Sequence, residues 1–256
     1  MPWMTDVAAG ARDADGGVTV DRRLLALILA PLLAVAMSTS PAHASVVEAR
    51  LNFQVLPNGP APGAFGPGPA MLTVNPPDNS PTELRIVGGK LTNDSTVPGR
   101  AAGYYTSASL GAPITGIGAR WTFTRRGGTP GAMAMLISQS ALRPPFPLHL
   151  VITPNRWIFG VWPPDGPVPG TLQTLQEQYF PVPLKEDGAE VYEVRVEING
   201  ARADIDLPDG QHQIVIDPRI AEWAGPFATF EAYSDNGVTD SRVGFTEIWA
   251  QSLQVQ

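Results

Sequence analysis

The 256-residue chain has no cysteine, only two lysines and only three histidines. The missing thiols exclude disulfide scaffolds, thiol nucleophiles and zinc ribbons. A lipid anchor on cysteine is disfavoured, because position 45, where such a cysteine would follow an export leader, is Ser45. Beyond Ala44 only His149 and His212 remain, without the spacing of a metal site. We expect His149, which lies in an apolar segment, to be a structural residue.

Long apolar runs and catalytic signatures are equally scarce. The one extended apolar run, Leu24–Met37, has fourteen residues, which is too short for a comfortable membrane span. The sequence contains no G-x-S-x-G elbow, no G-x-G-x-x-G and no phosphate loop. No motif in the sequence therefore indicates a particular reaction.

The first 44 residues have the order of a secretory signal peptide. Arg22-Arg23 precedes the apolar run, and Ala42-His43-Ala44 supplies small residues at a cleavage site. The arginine pair loosely resembles a twin-arginine signal, although Asp21 stands where Ser or Thr is expected. We expect cleavage after Ala44, a secreted product, and a single domain over Ser45–Gln256.

The charge of that domain narrows its partners. It keeps 14 of the 17 basic and 20 of the 24 acidic residues, so its net charge is near −6. An acidic domain without a basic stripe is a poor candidate for binding nucleic acid or anionic lipid. Neutral ligands, glycans among them, are more compatible.

The sixty residues Val191–Ala250, near the end of the chain, predict a run of β-hairpins. Val191–Ile198 turns at Asn199-Gly200 into Ala201–Leu207, and further alternating segments follow. Twelve to thirteen strands at short intervals, with no long amphipathic helix, predict an all-β fold: a two-sheet antiparallel β-sandwich or jelly roll.

Three local predictions accompany this fold. The continuous apolar run Ala132–Ser138 predicts a strand buried on both faces. Leu172–Val182 is compatible with a strand or a short helix, since its apolar residues have near-helical spacing. Pro218–Ala224 predicts a helical turn, with proline at its first position.

Two stretches, Arg85–Phe123 and Tyr192–Trp249, resemble the concanavalin A-like lectin/glucanase superfamily, with its laminin-G-like and L-type-lectin-like jelly rolls. The arrangement also resembles small secreted proteins of actinobacteria. The resemblance implies a jelly roll that binds or cleaves glycans, and Ca²⁺ held by loops. The Glu-x-Asp-x-Glu strand of family-16-like glucanases is absent; Glu190, Glu193 and Glu197 are the nearest cluster. The Glu-x-Asp pair of the legume-lectin metal strand is absent as well. The missing glucanase triplet weakens an enzymatic interpretation.

Aromatic residues supply the first candidate binding sets. Trp157, Trp162 and Tyr179 flank a loop rich in proline and glycine, and Tyr104 and Trp121, with Tyr105, form a second set. Exposed rings in such sets would stack on sugar faces. At least one ring of each set must point into the core, because neighbouring strand residues alternate.

Two acid–aromatic pairs are further candidates. Glu231 and Tyr233 share one strand face, as do Glu247 and Trp249. If Phe230 and Ile248 point into the core, both pairs lie on outer faces, where an acid could accept hydroxyl hydrogen bonds. The alternative places Phe245 and Trp249 in the core and leaves Glu247 partly buried and paired.

The segment SDNGVTDS contains Asp235, Asn236 and Asp240 between two strands. Oxygen ligands on a turn suit Ca²⁺. The same residues are also typical of a plain hairpin turn, because Asp, Asn and Gly tolerate positive φ.

These observations favour an exported, non-catalytic, lectin-like β-sandwich that binds a glycan or cell-envelope component. Two alternatives stay open. One is a divergent polysaccharide hydrolase or lyase of the same superfamily. The other is a structural or protein-interaction module at the cell surface.

Overall fold

The computed structural model describes residues 44–75, 84–93, 101–125, 131–141, 148–162, 171–234 and 241–255. All of them belong to one compact unit, Pro41–Gln256. The sequence-predicted leader up to His43 lies outside the described residues, so the cleavage site stays a prediction.

Sixteen strands and one short helix make up the described part of the chain. In chain order they are β1 (Ala44–Asn52), β2 (Gly59–Pro60), β3 (Met71–Asn75), β4 (Leu84–Val87), β5 (Lys90–Asn93), β6 (Ala101–Thr106), β7 (Ile114–Arg125), β8 (Gly131–Ser138), β9 (Leu148–Ile152), β10 (Arg156–Val161), β11 (Gln173–Tyr179), β12 (Tyr192–Asn199), β13 (Arg202–Asp206), β14 (His212–Ile216), α1 (Pro218–Trp223), β15 (Phe227–Ser234) and β16 (Ser241–Val255).

The strands form two antiparallel sheets. One has nine strands in the order β14-β13-β12-β7-β16-β5-β4-β2, with β1 also paired to β16. The long strand β16 has β7 along one side, while its other side is shared by β5 and β1. The other sheet has seven strands in the order β11-β10-β9-β8-β15-β6-β3. The fold is the predicted all-β, two-sheet sandwich.

The core lies between the inner faces of the sheets. Its largest fully buried side chains include Trp121 of the nine-stranded sheet and Trp157 of the seven-stranded sheet. Phe230 of β15 meets Phe245 of β16 edge to face, with ring centroids 6.0 Å apart, so the two sheets contact each other directly. Without disulfides, this apolar burial is the main source of stability.

Most local predictions are confirmed. Strand β8 is buried at all eight residues, as the continuous apolar run requires. Helix α1 begins at Pro218 and is capped by the Asp217 side chain, which accepts from the backbone N–H of Arg219. The ambiguous segment Leu172–Val182 contains a strand, Gln173–Tyr179, paired along β10.

One local prediction differs from the structure. The expected count of twelve to thirteen strands is too low, because very short pieces such as β2 carry little periodicity. The first strand ends at Asn52 and is followed by a 3₁₀ turn, Phe53–Val55, in which the Asn52 side chain accepts from the Gln54 backbone N–H.

None of the helices among the described residues is long and apolar enough to cross a membrane.

Candidate functional site on the outer face of the seven-stranded sheet

Strand alternation places Glu231 and His149 on the outer face of the seven-stranded sheet. In β15, Phe230 belongs to the core, so Glu231 points the other way. In β9, Leu148 and Leu150 belong to the core, which puts His149 between them on the outer face. Both polar residues are nevertheless buried, with Glu231 7% and His149 5% exposed.

The two side chains meet across β8, the strand between them. The register pairs Glu231 with Ala134, and His149 with Leu136 two residues further along β8. Because Ala134 offers only a methyl group, the longer side chains can approach each other over it. His149 Nε2 lies 3.8 Å from Glu231 Oε2.

Aromatic rings flank this pair on both sides. The Trp162 ring, at the end of β10, stacks on the His149 imidazole with centroids 5.8 Å apart and planes at 15°. Tyr104 is the register partner of Glu231 on β6. Tyr104 and Trp162 are partly exposed, whereas Glu231 and His149 are buried. We call these four residues the outer-face cluster; its floor is polar and its rim is aromatic.

Burial determines the charge of His149. Loss of hydration lowers its pKa to about 4, because the imidazolium form is penalised away from water. The ring is therefore neutral at pH 7, and the 3.8 Å contact with Glu231 is not an ion pair, although its length would allow one. Within the described part of the chain, neither His149 nitrogen has a hydrogen-bond partner.

The remaining predicted aromatics do not join this cluster. Trp121 and Trp157 are core residues, 0% and 1% exposed, so neither can present an open ring. This agrees with the expectation that each set contributes at least one ring to the core. Tyr179 is 64% exposed but lies opposite Arg156, at the far end of the β10–β11 hairpin from Trp162. Six strand residues separate the two ends, a distance of about 20 Å.

The pair Glu247 and Trp249 lies on the opposite side of the molecule. Phe230 and Ile248 are both in the core, so Glu231 and Glu247 do face outward, but from different sheets. The alternative that Phe245 and Trp249 share the core face is wrong. A β-bulge between Phe245 and Glu247 adds a residue, and that extra residue reverses the alternation.

Trp249 is covered by its neighbours. The guanidinium carbons of Arg50 and Arg195 each lie 5.5 Å from its ring centroid. The adjacent Glu247 pairs with Arg50 and, at 3.6 Å, with Arg120. Partners from the same face therefore satisfy both residues, and this surface is a network of charge pairs.

The predicted metal loop stays a prediction. Asp235, Asn236 and Asp240 lie outside the described residues, between the ends of β15 and β16. The Tyr233 backbone pairs with Ala132 and Ala102, but its side chain is not among those that the structure describes. Elsewhere in the described ranges, no group of three or more acidic, histidine or cysteine residues could hold a metal ion.

The outer face of the seven-stranded sheet lacks a closely spaced acid pair among the described strand residues. Its two carboxylates are Glu231 and Glu177, four strands apart through the register positions Ala134, Val151 and Ile158. Four strand spacings amount to about 19 Å. Glycoside hydrolysis by two carboxylates needs about 5–5.5 Å for retention or about 6.5–9.5 Å for inversion. Glu177 is also paired with Arg156, at 2.6 Å.

Comparison with solved structures places the fold. The catalytic domain of an endo-1,3-beta-glucanase (laminarinase) from Thermotoga petrophila has a TM-score of 0.54 and 10% identity, covering 82% of this chain and 98% of that one. The CBM2 module of the evolved Dit of Lactobacillus casei BL23 phage J-1 has a TM-score of 0.52 and 12% identity, covering 83% and 98%. A seed lectin of Lotus tetragonolobus has a TM-score of 0.50 and 9% identity, covering 82% and 99%.

The chain has the concanavalin A-like jelly-roll fold. The resemblance seen in the sequence is confirmed at that level. No family model and no curated protein matches the sequence. Because one fold carries both binders and enzymes, the fold alone does not choose a function.

Sequence reasoning treated His149 as a structural residue and did not place it in a site. One signal could have placed it. Leu148, Leu150 and Ile152 form the apolar phase of a period-two strand, and His149 falls in the opposite phase. What no pattern in a single sequence shows is that β9 and β15 both neighbour β8, which brings His149 to Glu231.

Proposed function

We propose that this chain is an exported, non-catalytic glycan-binding protein whose ligand contacts the outer-face cluster. The observation that carries the proposal is the pairing of a buried polar floor with a partly exposed aromatic rim. Within that floor, neither His149 nitrogen has a hydrogen-bond partner among the described residues. A glycan offers hydroxyl groups for the floor and C–H faces for the rim. The fold is shared with a laminarinase, a carbohydrate-binding module named CBM2 and a seed lectin, which is compatible with glycan binding.

The acid spacing supports binding without catalysis. The two carboxylates on this face among the described strand residues are too far apart to act on one glycosidic bond. The composition supports a neutral ligand, since the domain beyond Ala44 is acidic. The sequence order of Arg22-Arg23, apolar run and Ala42-His43-Ala44 supports export.

A pull-down of the full chain on a panel of neutral plant and cell-envelope polysaccharides tests the proposal. We expect retention on at least one of them, with Trp162→Ala weakening binding at least about tenfold, which corresponds to about 1.4 kcal/mol. Trp249→Ala is the matched control, because Trp249 lies on the outer face of the other sheet. Failure to bind any polysaccharide refutes glycan binding. Release of reducing ends from a bound polysaccharide refutes the non-catalytic part and favours the hydrolase alternative.

A further inference from the structure

Strand β14 forms one edge of the nine-stranded sheet, and among the described residues no strand pairs with its outward side. An open edge presents backbone N–H and C=O groups to any other extended strand, and natural edges are usually shortened or interrupted. The opposite edge of this sheet, β2, has only two residues, and one of them is Pro60. By contrast, β14 pairs with β13 along five residues without a register shift and contains no proline and no lysine.

The hydrogen-bond phase shows which groups of β14 point outward. Asp217, just beyond the strand, donates its backbone N–H to the Ala201 carbonyl at 2.9 Å, so the odd-numbered positions face β13. Bonded and non-bonded pairs alternate in an antiparallel ladder. The backbone groups of His212, Ile214 and Ile216 therefore point away from β13, and they include both ends and the middle of the strand.

The side chains in this outward phase are also exposed. Ile214 is 45% and Ile216 72% exposed on the outer face of the sheet, whereas Val215 between them is buried. Branched apolar side chains on one face of a sheet stabilise each other across neighbouring strands. This edge would therefore gain apolar contacts as well as hydrogen bonds by pairing with another strand.

The edge is complementary to itself. Antiparallel pairing about a two-fold axis through Ile214 would place Ile214 opposite Ile214 of a second copy, and His212 opposite Ile216. All of these pairs fall in the outward phase and each exchanges two hydrogen bonds, giving about six in total. An axis through Gln213 or Val215 would bring the inward-facing groups together and would form none of these bonds.

The charges beside this edge are balanced. On the neighbouring strand, Asp204 pairs with Arg202 at 2.6 Å and Asp206 with His212 at 2.8 Å. In the two-fold arrangement, the Asp206 end of one copy lies beside the Arg202 end of the other. The two copies of Asp204 would be three strand spacings apart, about 14 Å, which exceeds the screening length of about 8 Å at physiological salt. Two acidic domains can therefore meet here without close repulsion.

We infer that β14 is a dimerisation edge, at which two copies of this chain join their nine-stranded sheets into one continuous antiparallel sheet. The inference is independent of glycan binding. We expect pairing along five residues to bury less than about 1,200 Å², which is the range of weak and transient complexes. The dimer should therefore dissociate in the micromolar range.

Sedimentation equilibrium of the full chain over a concentration series, without polysaccharide, tests the dimer. The mass should rise from that of a monomer to that of a dimer. Ile214→Lys removes the central apolar pair and sets two like charges opposite each other, so it should weaken the dimer at least about tenfold. Val46→Lys is the matched control, because Val46 is 63% exposed on the outer face of the same sheet but lies on β1.

A mixture of two charged variants tests the position of the axis. Ile214→Lys and Ile214→Glu should each be monomeric alone, because each meets its own charge at the axis. Mixed together, they set opposite charges against each other and should form a heterodimer. Circular dichroism confirms that each variant is folded.

Amide hydrogen exchange measured by NMR locates the contact. The amides of His212, Ile214 and Ile216 should become protected only at concentrations at which the dimer forms. The Val215 amide, which faces β13, should be protected in monomer and dimer alike.

Each measurement can overturn the inference. A chain that stays monomeric at every concentration does so, as does a dimer that Ile214→Lys and Val46→Lys weaken equally. A mixture of the Lys and Glu variants that stays monomeric excludes the axis through Ile214. Protection of the Ile214 amide in the dilute monomer would show that another segment of the chain covers the edge, and this also overturns it.

Discussion

His149 should make the stability of the protein strongly dependent on pH. Its pKa is lowered to about 4 by burial, whereas a histidine in the unfolded chain titrates near 6.5. Above about pH 6.5 both states are neutral at this position and the group contributes no pH dependence. As the pH falls, the unfolded state takes up a proton that the folded state refuses, so the free energy of unfolding decreases.

The magnitude follows from the difference between the two pKa values. About 2.5 pH units at about 1.4 kcal/mol each give about 3.5 kcal/mol, lost progressively between about pH 6.5 and pH 4. The side chain is almost fully buried, so solvent screening does not reduce this figure much. It is a large fraction of the roughly 5–15 kcal/mol that stabilises an ordinary domain.

The assay is urea unfolding of the wild type and of His149→Gln at several pH values from 7.5 to 4.5. Glutamine does not titrate in this range, so the variant should lose less stability on acidification. The changed packing beneath Trp162 adds an offset independent of pH, and the comparison therefore uses the slope against pH. Other carboxylates titrate in both proteins and cancel in the difference. Parallel slopes would show that His149 is not buried neutral and would refute the reasoning.

His212→Gln is a control with the opposite sign. In the wild type, His212 Nδ1 lies 2.8 Å from Asp206 Oδ1. This hydrogen bond is the main reason that the pKa of His212 is raised, and Asp204 raises it further. A raised pKa contributes stability that is fully present below the unfolded pKa and is lost as the pH rises through the folded pKa. His212→Gln should therefore lose stability mainly on the acid side, in contrast to His149→Gln.

Three further predictions concern other parts of the chain. A Cβ at Gly118 would lie 2.4 Å from the Trp249 ring, which Arg50 and Arg195 hold in place. Gly118→Ala should therefore lower the free energy of unfolding by about 1–3 kcal/mol in urea. Gly63→Ala is the control and should lower it little, because no atom lies within 4 Å of the added Cβ. If SDNGVTDS binds Ca²⁺, Ca²⁺ at about 100 times Kd should stabilise the wild type by about 2.7 kcal/mol in thermal unfolding. The Asp240→Asn variant should be stabilised much less. Equal melting temperatures of the wild type with Ca²⁺ and with a chelator would contradict a metal site. Mass spectrometry of the exported protein should give Ser45 as the first residue, and Ala44→Leu should block that cleavage; an uncleaved exported chain would rule it out.

Alternation and turn chemistry were sufficient to predict the sandwich, because both are local properties of the chain. Assigning residues to the inner or outer face by alternation fails where strand pairing, which is not a local property, interrupts the alternation. The bulge between Phe245 and Glu247 inserts one residue and turns Trp249 to the outer face, and neither Phe245 nor Trp249 differs in type from a core residue. No pattern in a single sequence marks such a bulge, because the bulge depends on how the strand pairs with its neighbour.

The site was predictable only in part for the same reason. Tyr104, Trp162 and Glu231 were named as candidates from their chemistry, and the structure brings them together with His149. Tyr179 was grouped with Trp162 because a loop joins their strands, yet antiparallel pairing puts the two at opposite ends of a hairpin. Proximity in a sheet is set by strand order, with β8 between β9 and β15, and that order comes from packing between distant segments.

The contrast between the two outer faces gives a physical reason to choose one of them. Trp249 and Glu247 have the residue types of a sugar site, but Arg50, Arg120 and Arg195 already stack on the ring or pair with the acid. A ligand there would have to displace contacts of comparable strength and would gain little. On the seven-stranded sheet a ligand hydroxyl would displace no hydrogen bond of His149, since within the described chain its nitrogens make none. The outer face on which a polar group is left unsatisfied is therefore the one on which binding has the most free energy to gain.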